Sequence, residues 1–247
     1  MSDPLLIFDY SNVNLQSAEV FLEFVNSPSK MKVFRDNINN FHSYRKYTDS
    51  PTRNIRYNIY ETKSGNNIGS IGLSSAVISV SVRDKYIGWD RLVKMKNLCH
   101  LANNSRFVLV GERITIKNVG SMALKQLRLD GAKKWKEKYG DDLIMLETFV
   151  EPIRQSKHHG QKKRNGSVYR SDNWLEIGNT VGSSFKKAPL LLWQKETGSR
   201  GELARKDPVA AMEKYGYGGK QYIITKSPIK TMFIKPLVSD WKKYLLL

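Results

Sequence analysis

One run constrains this chain more than any other. Residues 106–111, RFVLVG, are a short apolar stretch. Residues 119–140, VGSMALKQLRLDGAKKWKEKYG, carry apolar groups at helical spacing and close on Gly140. Residues 142–151, DLIMLETFVE, are apolar again, and Pro152 ends them. Leu124, Leu127 and Trp135 lie on or near the apolar face of the middle segment. Lys133, Lys134, Lys136 and Lys138 crowd its last turns, where cations suit the helix dipole. A strand, a long helix and a second strand in this order imply a parallel pair joined by a crossover.

The flanking segments fill out a sheet. NIRYNIYE (54–61) alternates apolar and polar residues like a half-buried strand, KSGNN (63–67) is turn chemistry, and IGSIGLSSAVISV (68–80) resumes the strand pattern, so the three form a hairpin. The spacing predicts helices over 18–28, 30–40 and 89–104. It predicts loops over 41–53 and 153–167, and a short helix from 168 to about 175 with a turn at Gly178 and a strand after it. DPVAAMEKYG (207–216) reads as a helix with Asp207 as N-cap and Pro208 at its first position, and IKTMFIKPL (229–237) as a final strand. This order gives an α/β (α+β) fold with a mixed central sheet flanked by helices. It resembles the GNAT-like N-acyltransferase fold, in which an acyl donor sits where two central strands part. The expected division is an acidic helical extension over 1–40 and a GNAT-like domain over 41–247 with a C-terminal strand extension.

Charge narrows the partner. The chain of 247 residues has a formal net charge of +18. Residues 1–29 hold Asp3, Asp9, Glu19 and Glu23 and no Lys or Arg, so the remaining 218 residues carry +22. Such an excess points to a polyanion, with nucleic acid ahead of an anionic membrane. Forty percent apolar content supports a core. A single cysteine, Cys99, fits a reducing interior, and no signal-like or membrane-spanning apolar run is found. The expectation is a cytoplasmic protein of a bacterial host cell, with DNA as partner and no membrane.

Several stretches point to chemistry. In the GNAT-like fold the loop after the first strand of the pair holds a pyrophosphate on backbone N–H groups and on the positive end of the following helix. Here that loop runs from Val110 through Lys117, Gly120 and Ser121, the cofactor-binding candidates for acetyl-coenzyme A or another acyl donor. Met122 stands where the family pattern has a small residue. Tyr169 could protonate a leaving group while staying neutral near pH 7. Glu147 and Glu151 share a face at strand periodicity, and either could act as base. Arg154, Lys157, Lys162, Lys163, Arg164 and Arg170 against Glu151 give residues 151–170 a net charge of +5, suited to phosphate contact. His42 and Tyr44 could stack an extruded base. His158 and His159 are adjacent, no zinc-type Cys/His cluster exists, and no metal is expected.

FHSYRKY, RDKYIGWD, KNLCHLANNSRFVLV, LETFVEPIR, VYRSDNWLEIGNT and IKTMFIKPLVSDW occur in the order seen in DruA-type proteins of Druantia anti-phage defence, and the chain resembles that family over about 41–243. It departs at Glu151, which replaces Asp, at Ser171 and Asp172, which replace a small pair, and in the 155–166 loop. The Tyr169-x-x-x-Asn173-Trp174 element is also similar to Mom-like phage proteins, regarded as GNAT-like modifiers of adenine in DNA. The resemblance implies Tyr169, Arg170, Asn173, Glu147, Asn103, Asn104 and Arg106 as site residues, with Trp89 and Trp174 framing them. It implies a DNA-binding protein that modifies a base by acyl-type transfer. The alternative is a DNA-binding or sensing module that has kept the fold without the chemistry. An acyltransferase acting on a small basic substrate is disfavoured, because a +18 protein repels cations.

Overall fold

The computed structural model describes residues 19–42, 47–49, 52–156, 160–163, 165–182, 184–187, 193–215, 223–226 and 228–246. Over 153–156, 160–163, 184–187 and 223–226 it describes the backbone alone. Two units are present. The first covers residues up to Asn179 and from Lys230 onward, and the second covers Thr180–Ile229.

The elements of the first unit are β1 (Val20–Phe24), α1 (Pro28–Phe41), β2 (Asn54–Glu61), β3 (Asn67–Ser75), α2 (Ser81–Ile87), α3 (Arg91–Asn97), β4 (Leu101–Leu109), α4 (Val119–Tyr139), β5 (Met145–Val150), the ribbon β6 (Ile153–Ser156) and β7 (Gly160–Lys163), α5 (Ser167–Ser171) and β8 (Leu175–Asn179). The second unit contributes β9 (Ser184–Lys187), α6 (Ser199–Lys206), α7 (Pro208–Tyr215) and β10 (Ile223–Lys226). The chain then returns to the first unit with β11 (Thr231–Pro236) and α8 (Trp241–Leu245).

Seven strands form one mixed sheet in the order β1-β2-β3-β4-β5-β11-β8. Every neighbouring pair is antiparallel except β4 and β5. These two are the parallel pair anticipated from the sequence, and α4 is the crossover between them. They pair only over Leu101–Asn103 and Met145–Glu147 and part beyond that point. A bulge adds to the parting: Gly72 is opposite Arg106 and Leu73 is opposite Asn104, so Ser105 has no register partner on β3. A mixed sheet flanked by helices, with a short parallel seam that splays, is the GNAT-like arrangement expected from the element order.

Side chains alternate between two cores, as the pleat requires. Ala102, Leu146 and Phe233 face α4, where Ala123, Leu124, Leu127 and Trp135 cover them. Leu101, Met145, Met232 and Ile234 face the other way, against Ile87, Trp89, Trp241 and Leu245. Gly140, in the left-handed region at φ 80°, stops α4 through its N–H to the Lys136 carbonyl. In the second unit, Trp193, Ala204 and Ala211 form a small core, and Asp207 caps α7 by accepting from the Ala210 N–H at 3.0 Å.

Four segments differ from the sequence expectation. Residues 76–80, read as strand, lie beyond the end of β3 at Ser75. Residues 20–24, read as helix, are strand β1. Val20, Leu22 and Phe24 satisfy period two as well as they satisfy a helical spacing, and pairing with β2 decides between the two. Residues 101–104, read as the end of a helix, begin β4, because Asn103 and Asn104 find register partners in Ser74 and Leu73. The basic stretch after Pro152, read as a loop, contains the antiparallel ribbon β6–β7.

A cavity at the splay

Where β4 and β5 separate, a cavity of about 300 Å³ opens. Its walls include Asn104, Ser105 and Phe107 from β4, Thr148 and Val150 from β5, Glu151 just beyond the strand, His42 at the end of α1, and Ser167 to Tyr169 on α5. Tyr169 is only 7% exposed. Its ring stacks on Phe233, with centroids 5.7 Å apart, and meets Trp174 edge-on at 5.1 Å. Such packing fixes the ring and directs the hydroxyl at the cavity wall. There Thr148 Oγ1 lies 3.3 Å from Tyr169 Oη and donates to the Asn104 carbonyl at 3.1 Å. The Asn104 amide is best satisfied with its nitrogen toward the carbonyls of Gly72 and Arg106, at 3.3 and 3.0 Å. That turns its oxygen toward the phenol as an acceptor.

A polar cluster sets the position of α5. Asp172 is buried, is paired with Arg128, and accepts from Trp174 Nε1 at 2.9 Å. Lys235 Nζ donates to the carbonyls of Asp172 and Asn173 at 3.0 and 3.1 Å. Desolvation, helped by the nearby Arg128 charge, holds the Lys235 ammonium below its usual range. Asn173 turns the chain with φ 55°, a conformation that asparagine tolerates better than most residues.

The anticipated site residues fall into three groups. Tyr169, Glu151 and His42 come together at the cavity, joined by Asn104. Glu147 does not. It faces the opposite core with 0% exposure, accepts from Arg83 Nη1 at 2.8 Å, and accepts from the Val77 N–H at 2.8 Å. Burial pushes its carboxyl up despite the Arg83 charge. The expectation that Glu147 and Glu151 share a face fails because β5 ends at Val150 and the chain leaves the pleat before Glu151. Asn173 is an exposed turn residue and lines neither this cavity nor the second one described below. Arg170 is paired with Glu176 and lies 5.2 Å over the Phe233 ring. Tyr44, Lys157 and Arg164 lie outside the described residues. Arg154, Lys162 and Lys163 are placed by backbone alone: Arg154 is in register with Lys162 on the β6–β7 ribbon, and Lys163 with Ile153. Thr148 and Ser105 were missed by sequence reasoning. Period two along LETFVE separates Thr148 from Glu147 and offered the signal; the bulge at Ser105 left none.

The start of α4, after the β4–α4 turn, packs against α5. Gly120 is buried, and a Cβ on it would come within 2.3 Å of Val168 Cγ2, so its missing side chain serves the contact between α4 and α5. Val110 is buried and donates its N–H to the Ile68 carbonyl. Lys117 is exposed, Ser121 is half-buried, and none of the four lines either cavity.

A second cavity, of about 790 Å³, borders the first through Asn104, Ser105 and Phe149, and Arg106 lines it. Arg106 also donates to the Ser105 carbonyl at 2.8 Å. Among the described residues no cluster of three His, Cys, Asp or Glu side chains could hold a metal ion, and no helix is long and apolar enough to cross a membrane.

The fold and this site define a mixed α/β protein with a polar, tyrosine-floored cavity at a splayed parallel seam. The chain belongs to the DruA family of anti-phage defence: the family model described as Druantia protein DruA matches residues 6–246. Among curated proteins none matches the chain. Solved structures similar to it include FeeM, an N-acyl amino acid synthase from uncultured soil microbes, at 10% identity over 93% of this chain and 96% of that one, with a TM-score of 0.44. A Sphaerobacter thermophilus protein described as an acetyltransferase by assignment is 7% identical over 88% and 93%, with a TM-score of 0.39. The polyamine N-acetyltransferase of Drosophila melanogaster is 6% identical over 88% and 99%, with a TM-score of 0.38. At these scores the likenesses are weak, and the functional reading rests on the residues of this chain.

Proposed function

We propose that this chain binds DNA and transfers an acyl-type group to a base nitrogen, in the manner ascribed to Mom-like proteins. The observation that carries the reading is the juxtaposition of the Tyr169 hydroxyl, Asn104, Thr148 and Glu151 around one cavity at the seam. In this reading the base nitrogen attacks an activated acyl carbonyl. The nitrogen's proton passes to the Glu151 carboxylate, and the leaving group takes the phenolic proton of Tyr169. The glutamic acid and the phenolate then return to their starting forms by proton exchange with water. Asn104 and Thr148 hold the phenol on line, and His42 stands at the cavity wall. The net charge of +18 and the β6–β7 ribbon, where Arg154 opposes Lys162, supply the attraction to phosphates. Like charges in direct register destabilise a ribbon unless an anion relieves them.

The donor is left as an acyl or aminoacyl carrier, and the Gly120–Val168 contact argues against holding it by a coenzyme A pyrophosphate at that turn. The same contact favours the second reading, a DNA-binding or sensing module without transfer chemistry. Mass spectrometry of nucleosides from cells expressing the protein separates the two. Transfer predicts a new nucleoside mass that falls about 10²–10⁴-fold with Tyr169→Phe. Unaltered nucleosides, with salt-dependent DNA binding intact, would establish the second reading.

A further inference from the structure

The 790 Å³ cavity lies on the sheet face opposite Tyr169, and the chemistry above leaves it without a role. Its size falls within the range of about 300–1,000 Å³ usual for ligand sites. Asn103 sits at its base, at the last position where β4 and β5 still pair, in register with Ser74 and Glu147. Asn103 Oδ1 is buried and accepts no hydrogen bond among the described residues. An unmet buried acceptor costs about 1–3 kcal/mol, so its retention beside a cavity points to a donor brought by a ligand. Phe149, Val77 and Ile78 offer flat and apolar contact, while Arg106 and Lys230 lie at the wall. Through Asn104, Ser105 and Phe149 the cavity borders the one that holds the Tyr169 hydroxyl.

We propose that this second cavity receives one extruded nucleotide whose base bears an exocyclic amino group, which donates to Asn103 Oδ1. The proposal rests on the base-modification reading. Adenine, cytosine and guanine present such an amine at the base edge, whereas the one donor of thymine is a ring N–H flanked by two carbonyl oxygens. Phe149 stacks the base, an interaction that does not depend on base identity. Arg106 and Lys230 meet the flanking phosphate. A base seated here reaches the first cavity through the seam, so the nucleotide and the transferred group approach from opposite faces of the sheet.

The test is calorimetric titration of the full chain with the deoxynucleoside monophosphates of adenine, cytosine, guanine and thymine. The three amino-bearing nucleotides should bind about tenfold more tightly than thymidine monophosphate, the effect of one buried acceptor met rather than left unmet. Asn103→Leu should remove that preference, and Lys230→Gln should weaken all four alike. Should the Asn103 variant fail to fold, hydrogen exchange on the unaltered protein gives an independent readout, with deoxyadenosine monophosphate expected to protect residues 74–78 and 103–106. Equal affinity for all four nucleotides, or no protection over those residues, overturns the proposal. Selective binding with unmodified cellular DNA would keep the pocket and discard the transfer reading. Modified DNA without nucleotide preference would do the reverse.

Discussion

Glu147→Ala tests the assignment of that carboxylate to the scaffold. Glu147 and Arg83 are both fully buried, with 2.8 Å between their charged atoms. Breaking a buried pair from one side typically costs about 3–5 kcal/mol, because the remaining charge is stranded. Arg83 keeps other partners here: Asp84 Oδ1, 2.7 Å from its Nη2, and the Val77 carbonyl, 2.6 Å from its Nη1. The loss should therefore fall near the lower end, about 3 kcal/mol, even though the Val77 N–H also loses its acceptor. At about 2–4 °C per kcal/mol for a domain of this size, the midpoint should drop by roughly 6–12 °C. Urea unfolding followed by circular dichroism reads the change directly. The double variant Arg83→Met, Glu147→Leu should recover most of the loss, since an apolar pair can replace a buried ionic one. A loss under about 1 kcal/mol for Glu147→Ala, or a double variant as unstable as the summed singles, would refute the assignment and return Glu147 to the catalytic candidates.

Further outcomes follow from the site. Gly120→Ala should cost about 1–3 kcal/mol through its clash with Val168, and Val168→Ala in the same chain should restore the loss; thermal melting of the three variants decides. Asn173→Ala should destabilise by about 1 kcal/mol from the left-handed turn, while Asn173→Gly should be tolerated, as read by denaturant midpoint. Lys235 is held below its ordinary value of 10.5, so its folded state binds a proton less tightly than its unfolded state. The cost of charging it is present below the depressed value and disappears as the pH rises toward 10.5. The stability of the protein relative to Lys235→Met should therefore increase across that alkaline window.

The parts of the fold written in local pattern were legible. Gly140 announced the end of α4, and the strands on either side of that helix announced the parallel pair. Segments whose identity depends on a partner were not. Val20 to Phe24 satisfies two periodicities, and only β2 selects the strand. Asn103 and Asn104 look like the tail of a helix until β3 supplies register partners. At the site, Tyr169 was legible from its motif, whereas the separation of Glu147 from Glu151 depends on the place where β5 stops. The role of Gly120 could not be read at all, because the reason for its missing side chain is Val168, on a helix that follows β5 in the chain.

The place of β11 has a consequence for how the protein is made. This strand lies between β5 and β8, although it follows both in the chain. Phe233, which seats the Tyr169 ring, and Lys235, which pins the turn after α5, both belong to it. Until the ribosome has delivered it, β5 and β8 have no common neighbour and the phenol has no floor. The half of the sheet that carries the Tyr169 cavity therefore assembles late, and a nascent or prematurely terminated product lacking this strand would leave that cavity unformed while β1 to β4 were already paired.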